Sequence, residues 1–179
     1  HLLKAIEGGQ DTLCFPLLED WTWRDLEKAL SGIDLENYPF FIDGKEGAVP
    51  FYVFLDRWAR ESKIEAITGF IGTDPFGEMA IKLLTPDEAE EYYNYWCDGV
   101  EFFHRRFPRV KTIFINGILY DQAGGNPLEQ MALILSCAVE QIERWKNRGF
   151  GPEFVFQKTV IGISINSDIF AEIAKIRGI

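Results

Sequence analysis

The sequence is poor in the residues that build metal sites and disulfide frameworks. Its three cysteines, Cys14, Cys97 and Cys137, are far apart and odd in number, which matches neither a zinc motif nor a set of disulfides. Three reduced cysteines are typical of a cytoplasmic protein. The two histidines are His1 and His104, and His104 stands near the end of a helical stretch, where a charged or capping role is favoured over metal binding. We therefore predict a cytoplasmic protein without a metal site.

Long apolar runs and clusters of basic residues are also missing. No apolar run approaches the roughly 20 residues that a membrane span requires, and no secretory signal is visible. The chain carries 18 basic against 28 acidic residues, a formal charge of −10, which disfavours binding to nucleic acid or to an anionic membrane surface. With 179 residues, 47% of them apolar, the chain is long enough for one compact domain over residues 1–179.

Strand-like and helix-like segments alternate along the chain. The predicted strands are Thr12–Leu18, Tyr38–Ile42, Ala66–Ile71, Lys111–Ile115 and Phe154–Ile163. The predicted helices cover residues 1–7, 22–30, 48–62, 85–106, 126–148 and 168–176. Apolar strands that are each followed by a helix are typical of a parallel sheet covered by helices. The pattern predicts an α/β fold with about five βα units.

Five units are compatible with an open sheet or with part of a barrel, since a complete barrel needs about 250 residues. A doubly wound nucleotide-binding fold usually has a glycine-rich loop after its first strand. Here that position is residues 16–21, which contain no glycine. This weakens a nucleotide-binding role and leaves both architectures open. The sequence also contains no P-loop, zinc-protease helix or nucleophile elbow.

Ligands of both architectures bind beyond the carboxyl ends of the strands. The polar residues expected there are Glu19, Asp20, Asp43, Thr73, Asp74, Tyr120, Asp121 and residues 164–168. Paired carboxylates can perform acid and base chemistry, but Asp43-Gly44 and Asp74-Pro75 are also common turn pairs, and Asp168 suits a helix cap. Gly124-Gly125 precedes a helix, where free amides could bind a phosphate; a tight loop is the favoured alternative.

Four segments, taken in order, resemble one known family. They are Ala5–Asp11, Gly69–Gly77, Thr112–Asn126 and Asp168–Arg177. Together they resemble the barrel of the methylmalonyl-CoA mutases, at the entry to a strand, a Gly-x-Asp-Pro loop, a strand with its following loop, and a later helix. The resemblance covers nearly the whole chain and implies an incomplete parallel (βα) TIM-type barrel, from its second to its sixth strand.

The chain departs from the catalytic members of that family. Where their large subunits place a substrate-contacting His, this chain has Leu119, followed by Tyr120 as in the small subunits. No Asp-x-His-x-x-Gly signature of a cobalamin domain occurs. The resemblance implies a non-catalytic small subunit, with adenosylcobalamin on the partner large subunit and no catalytic, cofactor or metal residue here. The implied ligand-face residues are Asp43, Thr73, Asp74, Leu119, Tyr120, Asp121 and Gln122.

Two alternatives to the small-subunit hypothesis stay open. One is a free-standing barrel enzyme that uses the strand-end carboxylates Asp43, Asp74 and Asp121. The other is a barrel that binds an acyl-CoA ester without turning it over. In an incomplete barrel, the edges near Leu13 and Phe156 would be open, which predicts that the chain either associates with a second copy or rearranges.

Overall fold

The computed structural model describes residues 2–17 and 22–178. Within these ranges the elements are α1 (Leu2–Glu7), α2 (Trp23–Leu30), β1 (Phe40–Asp43), α3 (Ala48–Ser62), β2 (Gly69–Thr73), α4 (Pro75–Lys82), α5 (Pro86–Arg106), β3 (Val110–Asn116), α6 (Gly117–Gln122), α7 (Pro127–Asn147), α8 (Pro152–Lys158), β4 (Thr159–Gly162) and α9 (Ile169–Gly178). The chain forms two compact units, His1–Thr112 and Ile113–Ile179, so β3 begins in the first unit and ends in the second.

The first unit contains a parallel strand pair. β1 pairs with β2 from Phe40 opposite Gly69 to Asp43 opposite Gly72. Gly69 has a φ of +104°, and a Cβ there would collide with the carbonyl oxygen of Phe40. Only glycine tolerates both the left-handed backbone and this close approach of the neighbouring strand.

Over Thr12–Leu17, the described part of the strand predicted over Thr12–Leu18, the prediction is wrong apart from one position. Leu13 forms a single parallel bridge to Phe40, with its N–H donating to the Pro39 carbonyl at 2.8 Å. Pro16 has no N–H to donate, so a longer ladder would lose a hydrogen bond at that residue. Leu18, Glu19 and Asp20 lie outside the described residues, as do His1, Trp21 and Ile179.

Aromatic packing dominates the core of the first unit. α3 has the bounds that its apolar spacing predicted, and it buries Tyr52, Phe51 and Trp58. The Tyr52 hydroxyl donates to the Ile71 carbonyl at 2.8 Å, and its ring stacks on Phe103 at 4.4 Å between centroids. These contacts hold both α3 and α5 against β2 and thereby position the carboxyl end of that strand.

The second unit contains another parallel pair, β3 and β4, from Ile113 opposite Thr159 to Asn116 opposite Gly162. The strand predicted over Phe154–Ile163 is wrong in its first half, which forms α8. Pro152 suits the first helical turn, and Phe154 packs on Trp145 at 4.8 Å between ring centroids. Phe156 therefore lies on a helix and not on the strand. The last strand, β4, does stand at the edge of its sheet, as expected, but it begins only at Thr159.

The α/β class with parallel strand pairing is confirmed. Four strands are present among residues 2–17 and 22–178, one fewer than expected. Closure into a barrel and the organisation as a single domain remain predictions. None of the helices in the described ranges is long and apolar enough to cross a membrane.

Candidate functional site

The carboxyl end of β1 presents Asp43, a predicted ligand-face residue. Its side chain is half-buried, and burial raises the pKa of its carboxyl group above the ordinary value. Asp43 Oδ1 accepts a hydrogen bond from the Lys45 amide at 3.4 Å. The Gly44 N–H donates to the Gly72 carbonyl at 2.7 Å. Asp43 therefore stands at the end of the strand pair, and its carboxylate is held by the backbone amide two residues further along the chain.

The carboxyl end of β2 presents Thr73 and Asp74 in different roles. Thr73 is 1% exposed, and its hydroxyl has no hydrogen-bond partner in the part of the chain described. Asp74 is also buried and is the N-cap of α4: its Oδ1 accepts from the amides of Phe76 at 3.1 Å and Gly77 at 3.0 Å. These contacts support the capping interpretation of Asp74-Pro75.

Glu78 is a residue of this region that the sequence did not single out. It stands one helical turn beyond Asp74. Burial raises the pKa of its carboxyl group, as do, more weakly, the charges of Asp43 and Glu46, while Lys82 opposes the shift. Recognising Glu78 would have required α4 itself to be predicted, since only a helix places positions 74 and 78 on one face.

A small cavity of about 240 Å³ lies beside these groups in the first unit. Its lining residues are Leu17, Gly44, Lys45, Glu46, Gly47, Glu78 and Ile81. At its rim Lys82 Nζ pairs with Glu46 Oε1 at 2.6 Å and stands 5.1 Å from the centre of the Tyr92 ring. Burial and the nearby carboxylates raise the pKa of the Tyr92 hydroxyl. The cavity is thus mixed in charge and suited to a small polar group.

The carboxyl end of β3 continues directly into α6, which carries the other four ligand-face candidates. Leu119, Tyr120 and Asp121 are half-buried and Gln122 is exposed. Tyr120 Oη is 3.1 Å from Cys137 Sγ. Asp121 Oδ1 accepts a hydrogen bond from Asn166 Nδ2 at 3.3 Å. The helix itself was not predicted, because its six residues lack a cap or a clear apolar period.

The loop after α6 is closed by its own backbone. The Gly124 N–H donates to the Asp121 carbonyl and the Gly125 N–H to the Tyr120 carbonyl, both at 2.9 Å. The Asn126 amide donates to Glu129 Oε2 at 2.9 Å. These amides are engaged, so the tight-loop interpretation of Gly124-Gly125 is confirmed over the phosphate-binding one.

An apolar cleft of about 460 Å³ lies between α6 and α7 in the second unit. It is lined by Tyr120, Ala123, Gly125, Glu129, Ala132 and Leu133. One phenol and one carboxylate are the polar side chains among these. Such a lining suits an apolar group with a single polar function.

Each strand end therefore has its own set of candidates. Asp43, Thr73 and Asp74 belong to the first unit, and Leu119 to Gln122 belong to the second. Residues 2–17 and 22–178 contain no cluster of three His, Cys, Asp or Glu side chains that could hold a metal ion. The acids brought into electrostatic contact are Asp43, Glu46 and Glu78.

Comparison with known proteins agrees with this architecture. The family model described as Methylmalonyl-CoA mutase matches residues 21–179. A protein of Streptomyces virginiae named methylmalonyl-CoA mutase small subunit is 25% identical over 154 residues, which cover 85% of this chain and 24% of the relative. The chain thus spans about a quarter of the length of that curated relative. Since the family model matches most of its residues, the chain belongs to the methylmalonyl-CoA mutase family.

Proposed function

We propose that this chain is part of the non-catalytic small subunit of an adenosylcobalamin-dependent mutase. In this role it supports a catalytic large subunit that interconverts methylmalonyl-CoA and succinyl-CoA in the cytoplasm. The observation that carries the proposal is Leu119, half-buried on α6 directly after β3. The resemblance aligns this position with the substrate-contacting His of catalytic subunits, and a leucine neither donates nor accepts a hydrogen bond.

Within residues 2–17 and 22–178, the side chains do not fit a role in holding the cobalt of a corrin. The one histidine in the described ranges, His104, lies in the last turn of α5, which leads into the amino end of β3. In a βα unit that is the end opposite to the ligand face. No step of the reaction is therefore assigned to a cofactor on this chain, and we propose that the partner large subunit holds it.

The carboxylate-enzyme alternative is weakened by how its three acids are used. Asp74 accepts two amides as a helix cap, and Asp121 accepts from Asn166. Asp43 remains, with Glu78 rather than Asp74 as its electrostatic neighbour. A general acid and base need to converge on one ligand, and a pair built on Asp43 and Glu78 would be the one to examine.

The acyl-CoA-binding alternative has one observation in its favour, the apolar cleft beside Tyr120. It predicts saturable binding of methylmalonyl-CoA by the chain alone in calorimetry. Leu133 lines this cleft and Leu135 does not, although the two are almost equally exposed, at 43% and 44%. Binding that Leu133→Asp abolishes and Leu135→Asp retains would replace the small-subunit proposal with this alternative.

The proposal is tested by co-expression with the tagged large subunit of the same mutase. We expect the chain to co-elute with the large subunit in size-exclusion chromatography. We also expect the chain alone to leave the visible spectrum of adenosylcobalamin unchanged in a titration. Saturable cofactor binding at micromolar concentration, or succinyl-CoA formation by the chain alone, would show that the assignment is wrong. Failure to co-elute would equally remove it.

A further inference from the structure

The basic residues of the first unit are concentrated in two short segments. Residues 57–63 and 105–111 together contain seven lysine and arginine residues and one acid, Glu61. The whole chain has 18 basic residues and a formal charge of −10, so these segments hold more than a third of its positive side chains. A basic surface on an otherwise acidic chain favours a negatively charged partner.

Both segments lie at the same end of the first unit. Residues 57–63 cover the end of α3, and residues 105–111 lead from the end of α5 into β3. Arg106 Nη2 donates to the Ile64 carbonyl at 2.9 Å, which joins the two segments directly. In a βα fold the helices end beside the amino ends of the strands, opposite to the ligand face. The residues that we call the basic surface are Arg60, Lys63, Arg105, Arg106 and Arg109.

One buried carboxylate serves two guanidinium groups on this surface. Asp56 is 8% exposed and accepts from Arg60 Nε at 3.1 Å through Oδ1 and at 3.0 Å through Oδ2. Arg106 Nε stands 3.6 Å from the same Oδ1 atom. The two guanidinium groups are therefore neighbours, and together they carry one more positive charge than Asp56 neutralises. A second oxyanion beside them would balance that charge and accept the N–H groups that Asp56 does not use.

The helix dipoles account for only part of this arrangement. A helix C-terminus favours basic side chains in its last turn, which is where Arg60, Arg105 and Arg106 stand. The dipole does not require two guanidinium groups to share one carboxylate. It also does not explain Arg109, which follows the end of α5 and is exposed. The surface thus carries more positive charge than the helix ends need.

We propose that the basic surface binds an acidic segment of a partner protein. One carboxylate of that segment lies between the guanidinium groups of Arg60 and Arg106, which Asp56 and the Ile64 carbonyl hold in place. Further carboxylates of the segment lie beside the other basic side chains of the surface. Clusters of arginine residues recognise acidic motifs in this way, because a guanidinium group offers several N–H donors in a fixed plane.

The charge distribution favours an acidic protein segment over other anions. A nucleic acid or an anionic membrane extends past the basic surface to the rest of the chain, whose acidic residues repel it. A short segment contacts the basic surface alone. The side chains of Arg60 and Arg105 are 67% and 78% exposed, and the two cavities described above are lined by other residues. These groups therefore suit an extended partner. The inference does not depend on the proposed function, because it concerns the end opposite to the ligand face.

The test is fluorescence anisotropy with a labelled peptide of ten glutamate residues, titrated with the full chain at about 100 mM salt. We expect saturable binding that weakens as salt is added, because salt screens exposed charges. A peptide of ten glutamine residues should not bind. A single-stranded oligonucleotide with ten phosphates tests the class of partner. Binding of that oligonucleotide as tight as that of the glutamate peptide, or no binding of the glutamate peptide, would overturn the proposal.

Two variants locate the binding surface. Arg60→Ala leaves the contact between Asp56 and Arg106 in place and should weaken peptide binding about fivefold. Arg105→Ala removes a side chain that is 78% exposed, so it should weaken binding without affecting folding. Arg144→Ala is the matched control for charge: Arg144 Nε pairs with Glu140 Oε1 on α7 with the same four-residue spacing, at 2.6 Å. This control should leave binding almost unchanged. Equal effects of all three variants would assign binding to net charge and refute the proposed surface.

Discussion

Removing the amine of Lys175 should destabilise the second unit strongly. The Glu172–Lys175 pair has side chains that are 5% and 1% exposed, so Lys175→Met leaves the Glu172 carboxylate buried without its partner and removes the donor to the Ser164 carbonyl. Breaking a buried pair by deleting one partner typically costs about 3–5 kcal/mol. We expect a loss of that size in the free energy of unfolding.

The chain contains a matched exposed pair for comparison. Glu143 and Lys146 on α7 have the same three-residue spacing, at 3.7 Å, with side chains 59% and 65% exposed. Solvent screens such a pair, so Lys146→Met should change stability by at most about 0.5 kcal/mol. The double variant Lys175→Met with Glu172→Leu removes both charges and should recover most of the loss.

Urea denaturation followed by far-ultraviolet circular dichroism measures these differences. Each variant is compared with wild type at one low protein concentration, so that self-association does not contribute. If Lys175→Met costs no more than Lys146→Met, the pair is not buried. The inward orientation of Glu172 and Lys175 on α9 would then be wrong.

Three further outcomes are expected. Glu78 has a carboxyl pKa raised in the folded state, so folding takes up a proton, and the contribution of Glu78 to stability falls as the pH rises above 4.5, the ordinary pKa of this group. Glu78→Gln should therefore raise the free energy of unfolding at pH 7 and flatten its pH dependence in urea unfolding. Glu91→Gln, on the exposed surface of α5, should do neither. Leu119→His should produce no succinyl-CoA above a blank with the large subunit present, because one group without its supporting contacts is rarely enough, and turnover would show an otherwise intact site. Asp74→Ala should cost about 1–2 kcal/mol in urea unfolding and Asp74→Asn much less, since asparagine retains the cap; equal losses would assign the effect to the charge.

The long helices were predictable because their signals are local. α5 begins after Thr85 and α7 after Asn126, each with a capping box, and α3 has a regular apolar period. Such caps and periods depend on residues three or four apart in the chain. The boundary of α8 was not predictable in this way, because a short apolar run such as residues 154–156 suits a buried strand or a helix equally well.

The candidate site was predictable only in outline. Parallel strands present their carboxyl ends to the ligand face, so Asp43, Thr73 and Asp74 were identified from strand position alone. Their roles were not, because a cap at Asp74 and an unpartnered hydroxyl at Thr73 depend on which atoms surround them. Glu78 comes within electrostatic reach of Asp43 only in the folded first unit.

The amino-acid sequence by itself determined the α/β class, the parallel pairing, the long helices and the family, since these follow from apolar period, caps and motif order. Tertiary structure alone decided which face of α9 points outward. An apolar and a charged stripe on one short helix indicate two faces without stating which one is buried. That choice depends on residues outside the helix: the Ser164 carbonyl accepts a hydrogen bond from Lys175, and Gln130 on α7 donates in turn to the Ser164 hydroxyl.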